Sequence, residues 1–215
     1  MGAADCILAG IALAGWLNRG DNECMATLPM YDDPQSTYVS VREYLTTSYR
    51  PDCDYVDGRI EERNVGEYEH GFLQALLAQL FLNNGKAWGV RALTAVRIQV
   101  KPASFRVPDV LVLRLDAPKE RVLTRPPLLV IEILSPEDRE SRFQDRIDDY
   151  IEFGIEHIWI IDPERRTVQR ATGTGLHLAD PGELTVPGTP IRVVMSELFA
   201  ELDRAWPQAS WRPNF

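Results

Sequence analysis

Two short apolar segments, each carrying one carboxylate, constrain the fold of this chain more than any other feature of its sequence. The first runs from Val107 to Leu113 and contains Asp109, and the second runs from Leu128 to Ser135 and contains Glu132. Each has the length of a β-strand. The second has apolar residues on both sides of the alternation, which predicts a central strand covered on both faces. A carboxylate there costs several kcal/mol unless a cation or hydrogen-bond donors meet it.

Two interpretations of these acidic strands are open. If the strands lie side by side, Asp109 and Glu132 converge on one point, and two carboxylates with water suit a hard divalent ion such as Mg²⁺. The reaction that such an ion most often serves is phosphoryl transfer. The alternative is a Glu132 paired with an arginine, and an Asp109 that only opens a strand after Pro108. One acidic strand alone favours the alternative, whereas two together favour the metal site.

The composition is that of a soluble globular protein with one sizeable core. The chain has 215 residues, 45% of them apolar, and a net charge of -9. This charge argues against a surface that coats nucleic acid non-specifically, although it leaves room for a local basic groove. Three cysteines without a zinc or disulfide spacing are typical of a reduced, cytoplasmic protein.

The N-terminal segment is treated separately. Ile7 to Trp16 forms an apolar run of about ten residues, which is too short to span a bilayer, and no Lys or Arg precedes it. We therefore expect residues 1–24 to be a poorly ordered or wrongly assigned extension, residues 25–205 to form one domain, and residues 206–215 to be a tail. Met25 and Met30 are alternative starts, and a membrane anchor is the less favoured interpretation of the extension.

A long helix is predicted from Gly66 to Asn83, where apolar residues recur at helical spacing and Asn83-Asn84-Gly85 follows as a stop. Projected on this helix, Glu69 falls on the apolar face, so a third carboxylate would point at the sheet. The alternative is that Glu69 only complements the helix dipole. His70 lies at the edge of the same face, where a histidine is more often a packing residue than a catalytic base.

A second helix is predicted from Ser135-Pro136 to about Phe153, between the strand that bears Glu132 and a third buried strand at Ile155 to Ile161. Strand, helix and strand in this order form a parallel right-handed crossover. Arg146 projects along the border of the helix's apolar stripe, near the sheet, where it could bind phosphate. The alternative is a set of salt bridges within the helix.

The remaining elements complete the fold prediction. Two hairpins are predicted, one turning at Asp57-Gly58 and one near the C-terminus around Gly173-Thr174-Gly175. The chain contains no Gly-rich phosphate loop, no Gly-x-Ser-x-Gly elbow and no Cys/His metal spacing.

This order of elements, with an acidic helix, a Pro-Asp strand, a buried strand bearing Glu and a basic helix, resembles the PD-(D/E)xK superfamily of restriction-endonuclease-like proteins. Within it, the chain resembles the Uma-two-type family of restriction endonucleases, over about Val39 to Leu198. The segments that carry the resemblance are Tyr55–Gly58, Glu69-His70, Val107–Val110, Leu129–Pro136, Arg146–Tyr150 and Trp159–Pro163.

The resemblance implies an α/β (α+β) fold with a mixed central sheet flanked by helices. It also implies that Asp109, Glu132 and the carbonyl of Ile133 hold Mg²⁺, or Mn²⁺ in its place, and that the chain cleaves phosphodiester bonds in DNA. Glu69 can join such a site, and Glu69 or His70 would order its outer shell. DNA is the expected partner, a homodimer is expected from the resemblance alone, and no membrane partner is expected.

One departure from the superfamily concerns catalysis. The superfamily motif has a lysine two residues after the glutamate, where this chain has Leu134, and the lysine that the family carries on the following helix corresponds to Arg146. An arginine keeps the charge that holds a phosphate, but with a pKa above about 12 it is a poor general base. Two alternatives to a DNA endonuclease stay open: a catalytically inactive nuclease-fold module that binds DNA or a protein, and a small metal-dependent enzyme with a non-nucleic substrate.

Overall fold

The computed structural model of the chain describes residues 38–50, 52–63, 67–136 and 140–205, without the side chains of residues 140 and 141. The predicted N-terminal extension, residues 1–24, and the predicted tail, residues 206–215, lie outside these ranges. The described helices are α1 (Val41–Thr46), α2 (Tyr68–Trp88), α3 (Glu140–Phe153) and α4 (Met195–Ala205). The described strands are β1 (Cys53–Val56), β2 (Arg59–Glu62), β3 (Val90–Thr94), β4 (Ile98–Lys101), β5 (Ser104–Arg106), β6 (Val110–Arg114), β7 (Leu129–Ile133), β8 (Ile158–Asp162), β9 (Thr167–Thr172), β10 (Gly175–Ala179), β11 (Leu184–Thr185) and β12 (Arg192–Val193).

A six-stranded mixed sheet forms the centre of the molecule, as predicted. Its strand order is β10-β9-β8-β7-β6-β3. The pair β7–β8 is parallel and is connected through α3, which confirms the predicted parallel crossover, while the other pairs are antiparallel. All five residues of β7 are buried, as expected for a strand covered on both faces.

Helices cover both faces of this sheet because its strands are apolar on both sides. Leu73, Leu77 and Phe81 of α2 and Phe199 of α4 pack in one hydrophobic cluster with alternate residues of β6, β7 and β8. The other alternate residues of these strands pack with the apolar stripe of α3. Among the described residues, no helix combines the length and the apolar character needed to cross a bilayer.

A second sheet, of four strands in the order β2-β1-β5-β4, was not predicted. The hairpin β1–β2 turns at Asp57-Gly58, as predicted, and both turn residues have positive φ, 46° and 92°. β2 lies at the edge of this sheet, in agreement with its polar sequence. The C-terminal hairpin β9–β10 also forms as predicted, and β11 and β12 pair separately.

Helix α2 is longer than predicted. It continues through Asn83-Asn84-Gly85 to Trp88 and ends at Gly89, whose φ of 68° is the left-handed conformation that terminates helices. Within the helix, the side-chain amide of Asn84 donates to the carbonyl of Leu80, at 2.9 Å.

The predicted strand from Val107 to Leu113 is interrupted at its start. β5 ends at Arg106 and β6 begins at Val110, so Asp109 precedes β6 instead of lying within it. The cause is Pro108, which has no N–H to donate to a neighbouring strand. The chain therefore passes from the four-stranded sheet to the six-stranded sheet at the predicted site.

Candidate active site

Asp109 and Glu132 lie next to each other, as the side-by-side arrangement of their strands predicts. β6 and β7 are antiparallel, with Val110 opposite Ile131. Continuing this register by one residue places Asp109 opposite Glu132, and directly opposed side chains of an antiparallel pair share a face of the sheet. Both are buried, with exposed fractions of 4% and 1%. The pair sits where the two sheets meet.

Asp109 is surrounded by hydrogen-bond donors. Nη2 of Arg63 lies 2.6 Å from Oδ1, Nε2 of His70 lies 3.2 Å from Oδ2, and the backbone N–H of Ile133 donates to Oδ2 at 2.8 Å. Burial by itself would raise the pKa of Asp109. The hydrogen bond from His70 and the charge of Arg63 outweigh burial and lower that pKa to about 2. Asp109 is therefore ionised at neutral pH.

Glu132 has a different balance of burial and charge. Tyr150 donates its hydroxyl to Oε1 at 2.6 Å, and Nη1 of Arg146 lies 3.2 Å from Oε2. Burial raises the pKa of Glu132 to about 7 in spite of the charge of Arg146, and the negative charge of Asp109 adds to the rise. The site is therefore short of positive charge at Glu132.

Arg63 contacts both carboxylates with one nitrogen. The Nη2 atom that binds Asp109 is also 3.7 Å from Oε2 of Glu132. Arg63 follows β2 directly, 46 residues before Asp109 in the chain. The sequence did not predict this residue at the site, because nothing in an acidic hairpin indicates which cation will turn towards a distant strand.

Helix α2 supplies two residues one turn apart. His70 binds Asp109, as described, and the side-chain amide of Gln74 donates to the backbone carbonyl of Asp109 at 2.8 Å. Burial by itself would lower the pKa of His70, but the hydrogen bond and charge of Asp109 outweigh burial and raise it. His70 thus contacts Asp109 and is one of the two residues, with Glu69, that the resemblance offered for the outer shell of the site.

Glu69 lies outside the site, contrary to the prediction. Its carboxylate is 3.9 Å from Nη2 of Arg166, and about a third of its side chain is exposed, at 34%. The helical projection was correct in placing Glu69 one turn before Leu73. However, the site faces the neighbouring stripe of α2, which contains His70 and Gln74.

Arg146 of α3 reaches the site, as predicted, between two buried carboxylates. Nη1 contacts Glu132, and Nε lies 3.4 Å from Oδ2 of Asp54, a residue of β1 that is 1% exposed. Asp54 also accepts from the backbone N–H of Val107 and from Arg106. These bonds fix the carboxylate that positions Arg146. The role of Asp54 was not predicted, because an acidic residue in a polar hairpin usually faces solvent.

A cavity of about 190 Å³ opens onto these residues. Its walls include Arg63, His70, Gln74, Asp109, Ile133 and Arg146. Donors from arginine, histidine and glutamine thus line the cavity together with two carboxylates, Asp52 and Asp109, which suits an anionic substrate held close to a cation.

The backbone carbonyl of Ile133 points to the same side as Asp109. Leu134 donates its N–H to Ile161 of β8, so the N–H and C=O of Ile133 face β6. Continuing the register of β6 and β7 by two residues places Pro108 opposite Ile133. Because proline has no N–H, it cannot bond this carbonyl, which leaves the oxygen for another partner.

The oxygen donors fit a small, hard divalent ion. Within the described ranges there is no group of three or more His, Cys, Asp or Glu side chains suited to a metal. The oxygen ligands at the site are the carboxylates of Asp109 and Glu132 and the carbonyl of Ile133. Mg²⁺ is typically bound by one or two carboxylates with several waters. The convergence of both carboxylates on one nitrogen of Arg63, and the raised pKa of Glu132, support the fit.

The sequence model of the Uma2 family, described as "Putative restriction endonuclease", matches residues 41–185. The chain belongs to the Uma2 family. No curated protein matches it at a significant level. Membership confirms the resemblance found in the sequence and, with the fold, points to a nuclease.

Solved structures support the fold. A crystal structure described as "a putative nuclease belonging to DUF820", from Anabaena variabilis, has a TM-score of 0.67 and 21% identity, over 76% of this chain and 99% of that one. At this identity the match concerns the fold alone, and it confirms the predicted restriction-endonuclease-like architecture. A "DrdV-DNA complex" matches with a TM-score of 0.34 and 13% identity over 66% of this chain and 12% of that chain, which is too low to support an argument.

Proposed function

We propose that this Uma2 protein is a Mg²⁺-dependent endonuclease that hydrolyses phosphodiester bonds in DNA. The observation that carries the proposal is that Asp109 and Glu132 converge on one nitrogen atom of Arg63, beside a cavity lined by donors. Two buried carboxylates that meet at one cation form a site where a divalent ion would be stabilised. The family's description as restriction endonucleases supports DNA as the substrate.

Asp109, Glu132 and the carbonyl of Ile133 would hold Mg²⁺, with Mn²⁺ as an alternative ion. When bound, such an ion supplies a water of lowered pKa and positive charge next to the scissile phosphate. Asp109 is suited to this role because it is ionised at neutral pH, and Tyr150 fixes the orientation of Glu132 through its hydroxyl. These donors are preorganised by the strands β6 and β7.

Arg146 is suited to bind a phosphate oxygen of the substrate. Its guanidinium lines the cavity, and Glu132 and Asp54 hold it in place. Since a guanidinium stays protonated, Arg146 stabilises charge and does not accept a proton. Leu134, at the position of the motif lysine, packs against the hydrophobic cluster under α3 and does not contribute to the chemistry.

His70 acts as a donor and not as a general base. Its ring contacts Asp109 and its pKa is raised, so the protonated form is favoured beside that carboxylate. In this form it fixes the orientation of Asp109, and with Gln74 it holds the start of β6 from the side of α2.

A second candidate function is a DNA-binding module without catalysis. It is favoured by one observation: both carboxylates already have arginine partners, Arg63 and Arg146, while the motif lysine is replaced. The two candidates use the same site and differ in turnover alone.

Nicking of supercoiled plasmid DNA tests the proposal. With Mg²⁺ or Mn²⁺ we expect the wild-type protein to convert supercoiled to open-circular DNA, and Asp109→Asn or Glu132→Gln to lower the rate by about 100-fold or more. Asp116→Asn, in the exposed turn after β6, is the matched control and should nick at the wild-type rate. Circular dichroism checks that each variant is folded. A folded wild-type protein that nicks no DNA with either ion would favour the binding module.

A further inference from the structure

Arg63 lies where the proposed ion would have to lie. Its Nη2 atom is 2.6 Å from Oδ1 of Asp109 and 3.7 Å from Oε2 of Glu132, and its side chain is 15% exposed. The guanidinium forms part of the cavity wall. It therefore neutralises the carboxylates jointly, in a position open to the cavity.

A divalent ion and this guanidinium are incompatible at the same oxygens. Mg²⁺ binds oxygen at about 2.1 Å, so an ion between the carboxylates would lie within a few ångströms of Nη2. Two cations at that distance, in a largely buried site, repel each other strongly. One of them has to leave.

Arg146 also contacts Oε2 of Glu132, at 3.2 Å, but it does not bridge the two carboxylates. It contacts Glu132 from the side of α3 and is held there by Asp54, and it makes no ion pair with Asp109 in the described structure. An ion shared by Asp109 and Glu132 leaves the contact between Arg146 and Asp54 intact. Arg63 is thus the guanidinium that contacts both carboxylates, and the one whose place an ion between them would take.

We propose that Arg63 is a resident counter-ion of the metal-free protein, which the divalent ion displaces on binding, so that Arg63 sets the metal affinity of the site. This inference rests on the proposed function, because it assumes that Asp109 and Glu132 hold the ion. Arg63 is thus a positioning residue that keeps two buried carboxylates paired until the ion arrives.

The displaced guanidinium has a second use at the same cavity. Arg63 and Arg146 both line it, and two guanidinium groups match the oxygens of one phosphate. Displacement by the ion frees the donors of Arg63 for the substrate. Ion binding and phosphate binding are then positively coupled, because each favours the conformation in which Arg63 has left the carboxylates.

Calorimetric titration of the full chain with Mn²⁺, without DNA, tests the inference. We expect Arg63→Gln to bind Mn²⁺ about tenfold more tightly than the wild-type protein, because the ion no longer has to displace a competing cation from the carboxylates. Arg59→Gln is the matched control: Arg59 is an exposed residue of β2, the strand that Arg63 directly follows, it lies 5.8 Å from the ring centre of Tyr38, and its loss should leave the affinity unchanged. Without metal, the thermal midpoint of Arg63→Gln should fall below that of the wild-type protein, and Mn²⁺ should restore it.

A charge-matched variant separates displacement from simple electrostatics. Arg146→Gln also removes one positive charge next to Glu132, but it leaves the guanidinium of Arg63 between the two carboxylates. Its gain in affinity for Mn²⁺ should therefore be smaller than that of Arg63→Gln. Equal gains would overturn displacement. If Arg63→Gln does not fold without metal, Arg63→Lys decides: it keeps the positive charge on a shorter side chain without the planar guanidinium, so tighter binding than wild type is expected and unchanged binding overturns the inference.

The failure of this inference is distinguishable from the failure of the proposed function. If the wild-type protein binds Mn²⁺ and Arg63→Gln binds it no more tightly, the role of Arg63 is overturned and the metal site stands. If neither the wild-type protein nor any variant binds Mn²⁺, the metal-dependent function is overturned, and the inference with it.

Discussion

Glu132 shows how a single buried carboxylate depends on its neighbours. It is 1% exposed, and its oxygens contact the hydroxyl of Tyr150 and the guanidinium groups of Arg146 and Arg63. These partners come from α3 and from the end of β2, so the residue is stabilised by elements that lie far apart in the chain. Even so, its pKa is raised to about 7, because desolvation outweighs the positive charges. The residue is thus poised to lose a proton when further positive charge arrives.

The raised pKa of Glu132 predicts how the stability of the metal-free protein depends on pH. The folded protein binds the carboxyl proton of Glu132 more tightly than the unfolded chain, in which the pKa of this group is 4.5. The contribution of Glu132 to stability therefore falls as pH rises from about 4.5 to about 7. The loss is at most about 3 kcal/mol. Chemical denaturation in EDTA at pH 5 and pH 7.5 measures this loss as a difference in the free energy of unfolding.

The matched variant for this measurement is Glu132→Gln, which cannot titrate at that position. His70, with a raised pKa, acts in the same direction and is present in both proteins, so the difference between their pH profiles isolates Glu132. Parallel profiles for the two proteins would contradict the assigned environment of Glu132.

At the scale of elements, helix α2 carries two glycines with opposite roles. A Cβ built on Gly85 would lie 2.8 Å from the backbone carbonyl oxygen of Val90, whereas a Cβ on Gly71 meets nothing within 4 Å. Gly85 thus permits the close approach of α2 to β3, which follows directly in the chain. Gly71 has no such packing role.

Alanine substitutions at these two glycines of one helix should change the free energy of unfolding in opposite directions. Gly85→Ala should lower the free energy of unfolding by about 1–3 kcal/mol, because backbone atoms must move apart. Gly71→Ala should raise it by up to about 1 kcal/mol, since alanine loses less conformational entropy in a helix. Urea denaturation of both variants measures the effects. A neutral Gly85→Ala would show that the contact between α2 and β3 is not tight.

The elements that could be predicted are those with a strong local pattern. The strand of Glu132, the crossover to β8 and both hairpins followed from apolar periodicity and turn residues. The end of α2 was placed too early, because an Asn-Asn-Gly sequence was taken as a stop where Gly85 serves packing. The four-stranded sheet was missed, since its strands are only three or four residues long and its central pair, β1–β5, joins residues about 50 positions apart.

The residues of the candidate site could likewise be predicted only where the local sequence carries a signal. Asp109 and Glu132 could be predicted because an acid in an apolar strand is conspicuous, and Arg146 because of its place on a helix. Arg63 could not, because a polar residue in a polar segment carries no signal of where it points, and Gln74 and Tyr150 could not, because their places on helices give a face and not the group that they bond. Of the two residues offered for the outer shell, Glu69 and His70, the structure brings only His70 to Asp109, since a projection gives a face and not the location of the site on it.

At the scale of the whole molecule, the burial of the strands implies very unequal local stability. Every residue of β7 is buried, whereas four of the five residues of β10, at the edge of the six-stranded sheet, are exposed. Segments with few buried contacts open at a lower free energy than the core. The site is thus built on the most stable strands and lies far in strand order from the least stable one.

Hydrogen–deuterium exchange followed by mass spectrometry tests this distribution. Amides of β7 and β8 should exchange more slowly than those of β10 by about a hundredfold or more. Peptides from β6, next to the site, should resemble β7. Equal protection of β10 and β7 would indicate that β10 is covered in solution, for example by a second copy of the chain.

The crossing of the chain between its two sheets has a further consequence. Arg63 and Asp54 belong to the hairpin of the smaller sheet, while Asp109 and Glu132 belong to the larger one, and Val107-Pro108-Asp109 joins them. A tilt of the hairpin relative to the larger sheet therefore moves the charges of Arg63 and Asp54, while the carboxylates of Asp109 and Glu132 keep their positions. Substitutions in the β1–β2 turn, remote from the reacting groups, are a route by which reactivity can be adjusted through the orientation of one short strand.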